Sequence, residues 1–180
     1  QSGRSVSAAG DVNGDGFDDL LIGTLAGDPG GRINAGESYV VYGKLGGFSA
    51  SIELSDIQNG DGTDGFVVNG TDDDDRAGWS VSAAGDFDGD GFDDILIAAP
   101  RADPNGVNTG ASFVVFGGDF TNSVDVLGTD GIDDLLGTAN DDIMIAMQGA
   151  DTLTGNGGND RMSGALGDDL FVFHDGDGDD

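Results

Sequence analysis

The stretch Asp11-Val-Asn-Gly-Asp-Gly-Phe-Asp-Asp19 returns 75 residues later as Asp86-Phe-Asp-Gly-Asp-Gly-Phe-Asp-Asp94. The match extends upstream, where Ser5-Val-Ser-Ala-Ala-Gly10 recurs as Ser80-Val-Ser-Ala-Ala-Gly85. Downstream, Leu20-Leu-Ile22 is answered by Ile95-Leu-Ile97, and Tyr39-Val-Val-Tyr-Gly43 by Phe113-Val-Val-Phe-Gly117 at an offset of 74. Self-similarity on this scale means one supersecondary unit used twice.

Inside each unit, short β-branched and aromatic runs alternate with Gly/Asp/Asn turns, which is strand punctuation. Ser5 to Ala8, Leu20 to Gly23, Ser38 to Tyr42 and Phe66 to Val68 read as strands. No stretch carries convincing helical periodicity. About four strands per unit is the content of one β-propeller blade.

From Gly128 the period changes to nine. The segments start at Gly128, Gly137, Ala146, Gly155 and Gly164, the last ending at Val172. Their sixth positions are Asp133, Asp142, Asp151, Asp160 and Asp169, and their eighth positions are Leu135, Met144, Leu153, Met162 and Phe171. Their fourth positions, Gly131, Asn140, Gly149, Gly158 and Gly167, all tolerate left-handed backbone. The expected class is therefore all-β: about two incomplete propeller blades over 1–118, a linker over 119–127, and a parallel β-roll or β-helix over 128–180. After Val172 no further nonapeptide is expected, only the acidic run 175–180.

The formal charge is −29, from 35 acids against 6 bases, and every acid except Glu37 and Glu53 is Asp. A solvated acidic face would use Glu freely, whereas Asp beside 35 glycines belongs to tight turns. Carboxylates crowded in turns repel, and a bound hard cation with oxygen ligands offsets this. With Lys44 as the sole lysine, nucleic acid is excluded as a partner. No apolar run approaches the roughly 18 residues of a membrane span. Cysteine is absent, which removes disulfides and thiol metal sites. Neither end reads as a natural terminus, so targeting signals are expected to lie outside this sequence.

In the duplicated loop, oxygen-bearing side chains fall at positions 1, 3, 5 and 9: Asp11, Asn13, Asp15 and Asp19, then Asp86, Asp88, Asp90 and Asp94. A loop curled round one ion turns alternate residues inward. Gly16 or Gly91 permits the bend, and the carbonyl of Phe17 or Phe92 would add a backbone ligand. Oxygen-only ligands favour Ca²⁺ over Mg²⁺. An EF-hand is excluded, because its twelfth position needs a bidentate Glu and here holds Ile22 or Ile97. The competing reading is an Asp/Gly turn that binds nothing, which would leave the carboxylate repulsion uncompensated.

On these residues both units resemble FG-GAP repeats, the blades of integrin-α-type β-propellers. Gly78-Trp-Ser-Val81, the loop and Ile97-Ala-Ala-Pro100 lie close to that signature, while the first unit has Gly23-Thr-Leu25 in place of the Gly-Ala-Pro element. The resemblance implies calcium on the propeller rim and about seven blades, so further blades of the same protein are expected as partners. The nonapeptides resemble RTX (hemolysin-type) repeats, Gly-Gly-x-Gly-x-Asp-x-apolar-x, a known calcium-binding β-helix pattern. That resemblance implies two units per coil, the eighth residue inward, and Asp133, Asp151 and Asp169 on one side with Asp142 and Asp160 on the other. The third unit departs from it, with Ala146 and Met147 where the family has Gly-Gly. It also implies type I secretion from a bacterium, an extracellular or cell-surface location, and folding where calcium is plentiful.

No catalytic constellation stands out, and no enzymatic activity is expected. His174 is the sole histidine and reads as a surface residue beside an acidic run. The arginines are expected to pair with local Asp, and Trp79 and Phe48 to pack between blades. Two functions remain open: a calcium-stabilised adhesion module contacting an extracellular protein or glycan, or an accessory region of a secreted hydrolase whose catalytic domain lies elsewhere.

Overall fold

A computed structural model describes residues 2–174, 177 and 178; of the acidic run 175–180, the remainder lies outside the described residues. The chain packs into two compact units. One comprises Gln1–Val12, Phe17–Gly85 and Asp93–Phe116, and the other Asn13–Gly16, Asp86–Phe92 and Gly117–Asp180.

The first unit holds two antiparallel meanders. Strands β1 (Ser5–Gly10), β2 (Asp19–Thr24), β3 (Glu37–Val41) and β4 (Gly65–Asn69) form a four-stranded sheet in chain order. Strands β5 (Ser80–Gly85), β6 (Asp94–Ala99) and β7 (Ala111–Val115) form a three-stranded sheet. The duplication reaches the backbone. Both β1 and β5 carry a register irregularity two residues from their ends, at Ala8/Gly10 and Ala83/Gly85. Gly10 and Gly85 take φ of 78° and 68°, where a side chain would be strained.

Strand alternation decides which residues meet. Leu21, Val40, Tyr42, Phe66 and Val68 of the first sheet pack with Val81, Ile95, Ile97 and Val115 of the second in one core. On the other face of the first sheet, Tyr39 and Val41 pack on Ile57. Ile57 lies on a helix that lack of periodicity did not predict, α1 (Leu54–Asn59). At six residues α1 is too short for a periodic signal, and its place follows from burying Ile57 and Leu54 over that face. Burial and a hydrogen bond to Glu37 push the Tyr39 hydroxyl up to about 12.

Two arginines and one aromatic side chain sit otherwise than expected. Arg4 stacks over the Trp79 ring at 4.6 Å instead of pairing with an Asp, and Trp79 is 37% exposed. Arg32 Nε donates to the Gly70 carbonyl at 3.3 Å. Phe48 is not between the sheets: it is half-exposed beneath Lys44.

In the second unit, β8 (Val126–Leu127), β10 (Ile143–Ile145) and β13 (Arg161–Ser163) form one parallel sheet. A second contains β9 (Asp134–Leu136), β12 (Thr152–Thr154) and β15 (Leu170–Val172), and a third pairs β11 (Gln148–Gly149) with β14 (Leu166–Gly167). Val126 pairs with Met144 and Met144 with Met162; Leu135 pairs with Leu153 and Leu153 with Phe171. Every pairing is 18 residues apart, so two nonapeptides make one coil, and the eighth residues Leu135, Met144, Leu153 and Met162 stack inward while Phe171 of the last unit stays exposed. Met144 and Leu153 are fully buried at the centre of this roll. Since Val126–Leu127 pairs in register as β8, the end of the expected linker 119–127 belongs to the roll. The linker's Val124 stands at the sixth position, so the Asp signature that marks the other units is missing there.

Each core should therefore fail to a single truncation. Leu21→Ala and Leu153→Ala, at fully buried positions, are expected to cost about 2–5 kcal/mol each in denaturant unfolding with calcium present. Leu45→Ala, at 86% exposure, should stay within about 0.5 kcal/mol.

Candidate metal centres

The loop 86–94 joins β5 to β6, and three of its carboxylates converge. Oxygens of Asp86, Asp88 and Asp94 all lie within 4.8 Å of one another, with Asp94 buried and the other two exposed. Gly89 and Gly91 at φ of 83° and 89° let the chain turn this tightly. Asp86 accepts from the N–H of Gly89 (2.7 Å) and of Gly91 (3.0 Å), and Asp90 from that of Phe92 (3.0 Å). Asp90 thus sits in a local turn rather than with the other three. Like charges at this spacing repel by about 1–3 kcal/mol per pair, between water-like and protein-like screening. A hard cation reverses that sign, and an all-oxygen set suits Ca²⁺.

The first loop uses the same backbone differently. Asn13 stands where the second loop has Asp88; its Nδ2 donates to Asp15 (2.9 Å) and its Oδ1 accepts from the Asp15 N–H (3.3 Å). Asp19, 3% exposed, accepts from the N–H of Val12 (2.9 Å) on one oxygen and of Gly43 (2.8 Å) on the other. Its carboxylate fastens the loop to the end of β3. Among the described residues, Asp11, Asp15 and Asp19 form no three-oxygen group like that of the second loop. Phe17, whose carbonyl was the expected seventh-position donor, has a half-exposed ring, whereas that of Phe92 is buried.

Sequence reading missed Asp93. Its carboxylate accepts from the Asp11 N–H (2.9 Å), and its own N–H donates to the Asp11 carbonyl (3.1 Å). Position 8 of the second loop therefore holds position 1 of the first, and a Cβ at Gly10 would collide with the Asp93 carboxylate. The signal was present in the repeated Asp-Asp pairs, Asp18-Asp19 and Asp93-Asp94.

In the roll the sixth-position acids stack in two files. Asp151 accepts from the Asp133 N–H (2.8 Å) and Asp169 from the Asp151 N–H (3.0 Å). In the other file Asp160 accepts from the Asp142 N–H (2.9 Å). The five acids are not equivalent. Thr129 and Thr138 occupy the second positions of the first two units, and each donates its N–H and hydroxyl to the acid of its own turn, Asp133 or Asp142. In the next three units Met147, Asn156 and Ala165 take φ of 68°, 74° and 52°. The Ala146-Met147 departure thus leaves the turn of the third unit unchanged, at the cost of strain in Met147.

That third unit also passes the clearest test for a cation. Asp151 is 1% exposed, and its Oδ2 is buried without a hydrogen-bond partner. A Cβ at Gly149 would run into both the Asp151 carboxylate and the Gly131 carbonyl oxygen. The turn keeps a gap lined by oxygens, and a buried carboxylate oxygen left unpaired is costly without a counter-charge.

Comparison with known proteins gives these two arrays their names. The FG-GAP repeat family matches residues 2–41 and 77–115, and the RTX calcium-binding nonapeptide repeat matches 127–160 and 136–171. The chain is built of FG-GAP repeats followed by RTX repeats. The FG-GAP matches take in β1–β3 and β5–β7, and RTX repeats hold Ca²⁺ as a structural ion. The chain is similar to phosphatidylinositol-glycan-specific phospholipase D of Bos taurus, 34% identical over 59% of this chain and 12% of that protein. It is also similar to integrin alpha-5 of Xenopus laevis, 38% identical over 54% of this chain and 8% of that protein. The chain thus spans about a tenth of the length of these relatives.

Two substitutions separate the arrays. Asp88→Ala should lower the calcium stoichiometry measured by calorimetry by one, with the circular dichroism of the calcium-loaded protein unchanged. Asp151→Leu should remove the site of the third unit while filling its gap, seen as a calcium stoichiometry lowered by one. A full stoichiometry in either variant would show that the carboxylate is not a ligand.

Proposed function

We propose that this chain is a calcium-stabilised, non-enzymatic interaction module of a secreted bacterial repeat protein, in which the ions are part of the fold. The supporting observation is the buried, unpartnered Asp151 oxygen beside the Gly131 carbonyl, in a chain of net charge −29. With no cation, that charge and the short three-residue strands of the roll oppose folding. With calcium, binding free energy becomes folding free energy.

In this reading Asp86, Asp88 and Asp94 hold an ion at the loop of the second blade. Asp151 and Asp169 hold ions between coils on one side of the roll and Asp160 on the other, with position-four carbonyls such as Gly131 completing the sets. RTX repeats are typical of secreted bacterial proteins, which supports export before calcium-driven folding. Adhesion to an extracellular protein or glycan is the role proposed for the blades, with further blades of the same protein completing the ring. The similarity to a phospholipase supports the second reading, an accessory region of a secreted hydrolase whose catalytic residues lie outside this chain.

Titration of Ca²⁺ into chelator-treated protein tests the calcium reading. A cooperative gain of β signal in far-ultraviolet circular dichroism and a raised melting temperature are expected, with a much weaker response to Mg²⁺. Equal responses to the two cations, or none at millimolar Ca²⁺, would overturn it.

A further inference from the structure

We propose that Gln148 and Arg161 are positioning residues for calcium. They fasten the tips of both duplicated loops to the roll, so that the loop Asp86–Asp94 and the coils of the roll take up the ion cooperatively. The inference rests on the calcium reading above and adds the side chains that carry the coupling.

The compact unit that contains the roll also takes in 13–16 and 86–92, the turning portions of the two loops. Two side chains of the roll hydrogen-bond to loop backbone there. Gln148 Nε2 donates to the Asp88 carbonyl (3.1 Å), and Arg161 Nη1 donates to the Gly16 carbonyl (2.7 Å). Gln148 stands at the third position of its nonapeptide and Arg161 at the seventh. The other units hold Asp130, Ala139, Gly157 and Leu166 at the third and Asp134, Ile143, Thr152 and Leu170 at the seventh. Both bonds therefore belong to this chain's own residues and not to its repeat.

Apolar contacts point the same way. A Cβ at Gly89 would collide with Leu166, the parallel partner of Gln148, and one at Gly91 with Ile145. Ile145 follows the inward Met144 and so faces away from the core of the roll. It is nonetheless 4% exposed, against 47% for its strand neighbour Leu127, because Gly91 lies over it. The glycines that let the loop turn also let the roll approach it.

Asp88 links the two arrays. Its carbonyl accepts from Gln148, and its carboxylate joins the group with Asp86 and Asp94. A free loop that gathers three carboxylates loses conformational entropy on top of their repulsion. A folded roll fixes Asp88 beforehand and removes part of that loss. By linkage the effect is reciprocal, so an occupied loop also favours the folded roll.

The test is a Ca²⁺ titration of the full chain, followed through the amide signals of Gly89 and Gly91 for the loop and of Leu135 and Leu153 for the roll. In the parent protein both sets should shift with a common midpoint. With Gln148→Ala and Arg161→Ala combined, the sets should separate, the loop midpoint moving to about tenfold higher calcium. Gln148→Ala alone should move it in the same direction, which gives the answer if the double variant does not fold. Asp88→Ala should raise the midpoint of the roll in the parent background and leave it unmoved in the double variant, a difference that a merely structural role would not produce. A loop midpoint unmoved by the substitutions, or an equal effect of Asp88→Ala in both backgrounds, would overturn the coupling alone. No response of either set at millimolar Ca²⁺ would overturn the calcium reading and the coupling together.

Discussion

The close approach of carboxylates inside tight turns is the constraint on which the rest of this protein depends. Aspartate is the only acid short enough to bond its own turn, and the turns consequently gather charge faster than they gather apolar area. Two partners relieve that charge: backbone N–H groups and cations. Asp19 and Asp93 show the first solution, each oriented by main-chain contacts that tie one loop to another strand or another loop. Asp151 is satisfied only by half, with one oxygen on an N–H and the other buried without a hydrogen-bond partner.

This division explains why equal-looking positions differ in role. Asn13 and Asp88 occupy the same place in the duplicated loop, yet one completes an internal hydrogen-bond pair and the other joins a three-carboxylate group. Thr129 and Thr138 spend their donors on the acids of their own turns, whereas Met147, Asn156 and Ala165 swing into left-handed backbone. A β-branched residue resists that conformation, so a single side chain at the second position sets whether the acid below it is internally satisfied.

The two architectures divide the labour of stability. The blades bury a shared aliphatic core, so they hold together by apolar area. The roll has only a narrow file of inward side chains, centred on Met144 and Leu153, and must draw on its ions for the remainder. β7 ends its sheet because, among the described residues, the second blade has no strand in the place that β4 takes beside β3 in the first.

Much of this was legible in the residues. The duplicated Asp11–Asp19 loop and the strands around it determined two β-meanders, because alternation and turn chemistry are local. The nine-residue phase marked the repeat array, and its resemblance to RTX repeats implied the 18-residue coil and inward eighth position that the strand pairings then showed. Helix α1 was hidden, since six residues carry no period and its position depends on Tyr39 and Val41, far away in sequence. The same holds for the pairing of Asp93 with Asp11 and for the burial of Asp151. Which carboxylates meet a backbone N–H and which meet only one another was decided by tertiary structure, because that choice turns on distances between residues that composition and spacing do not contain.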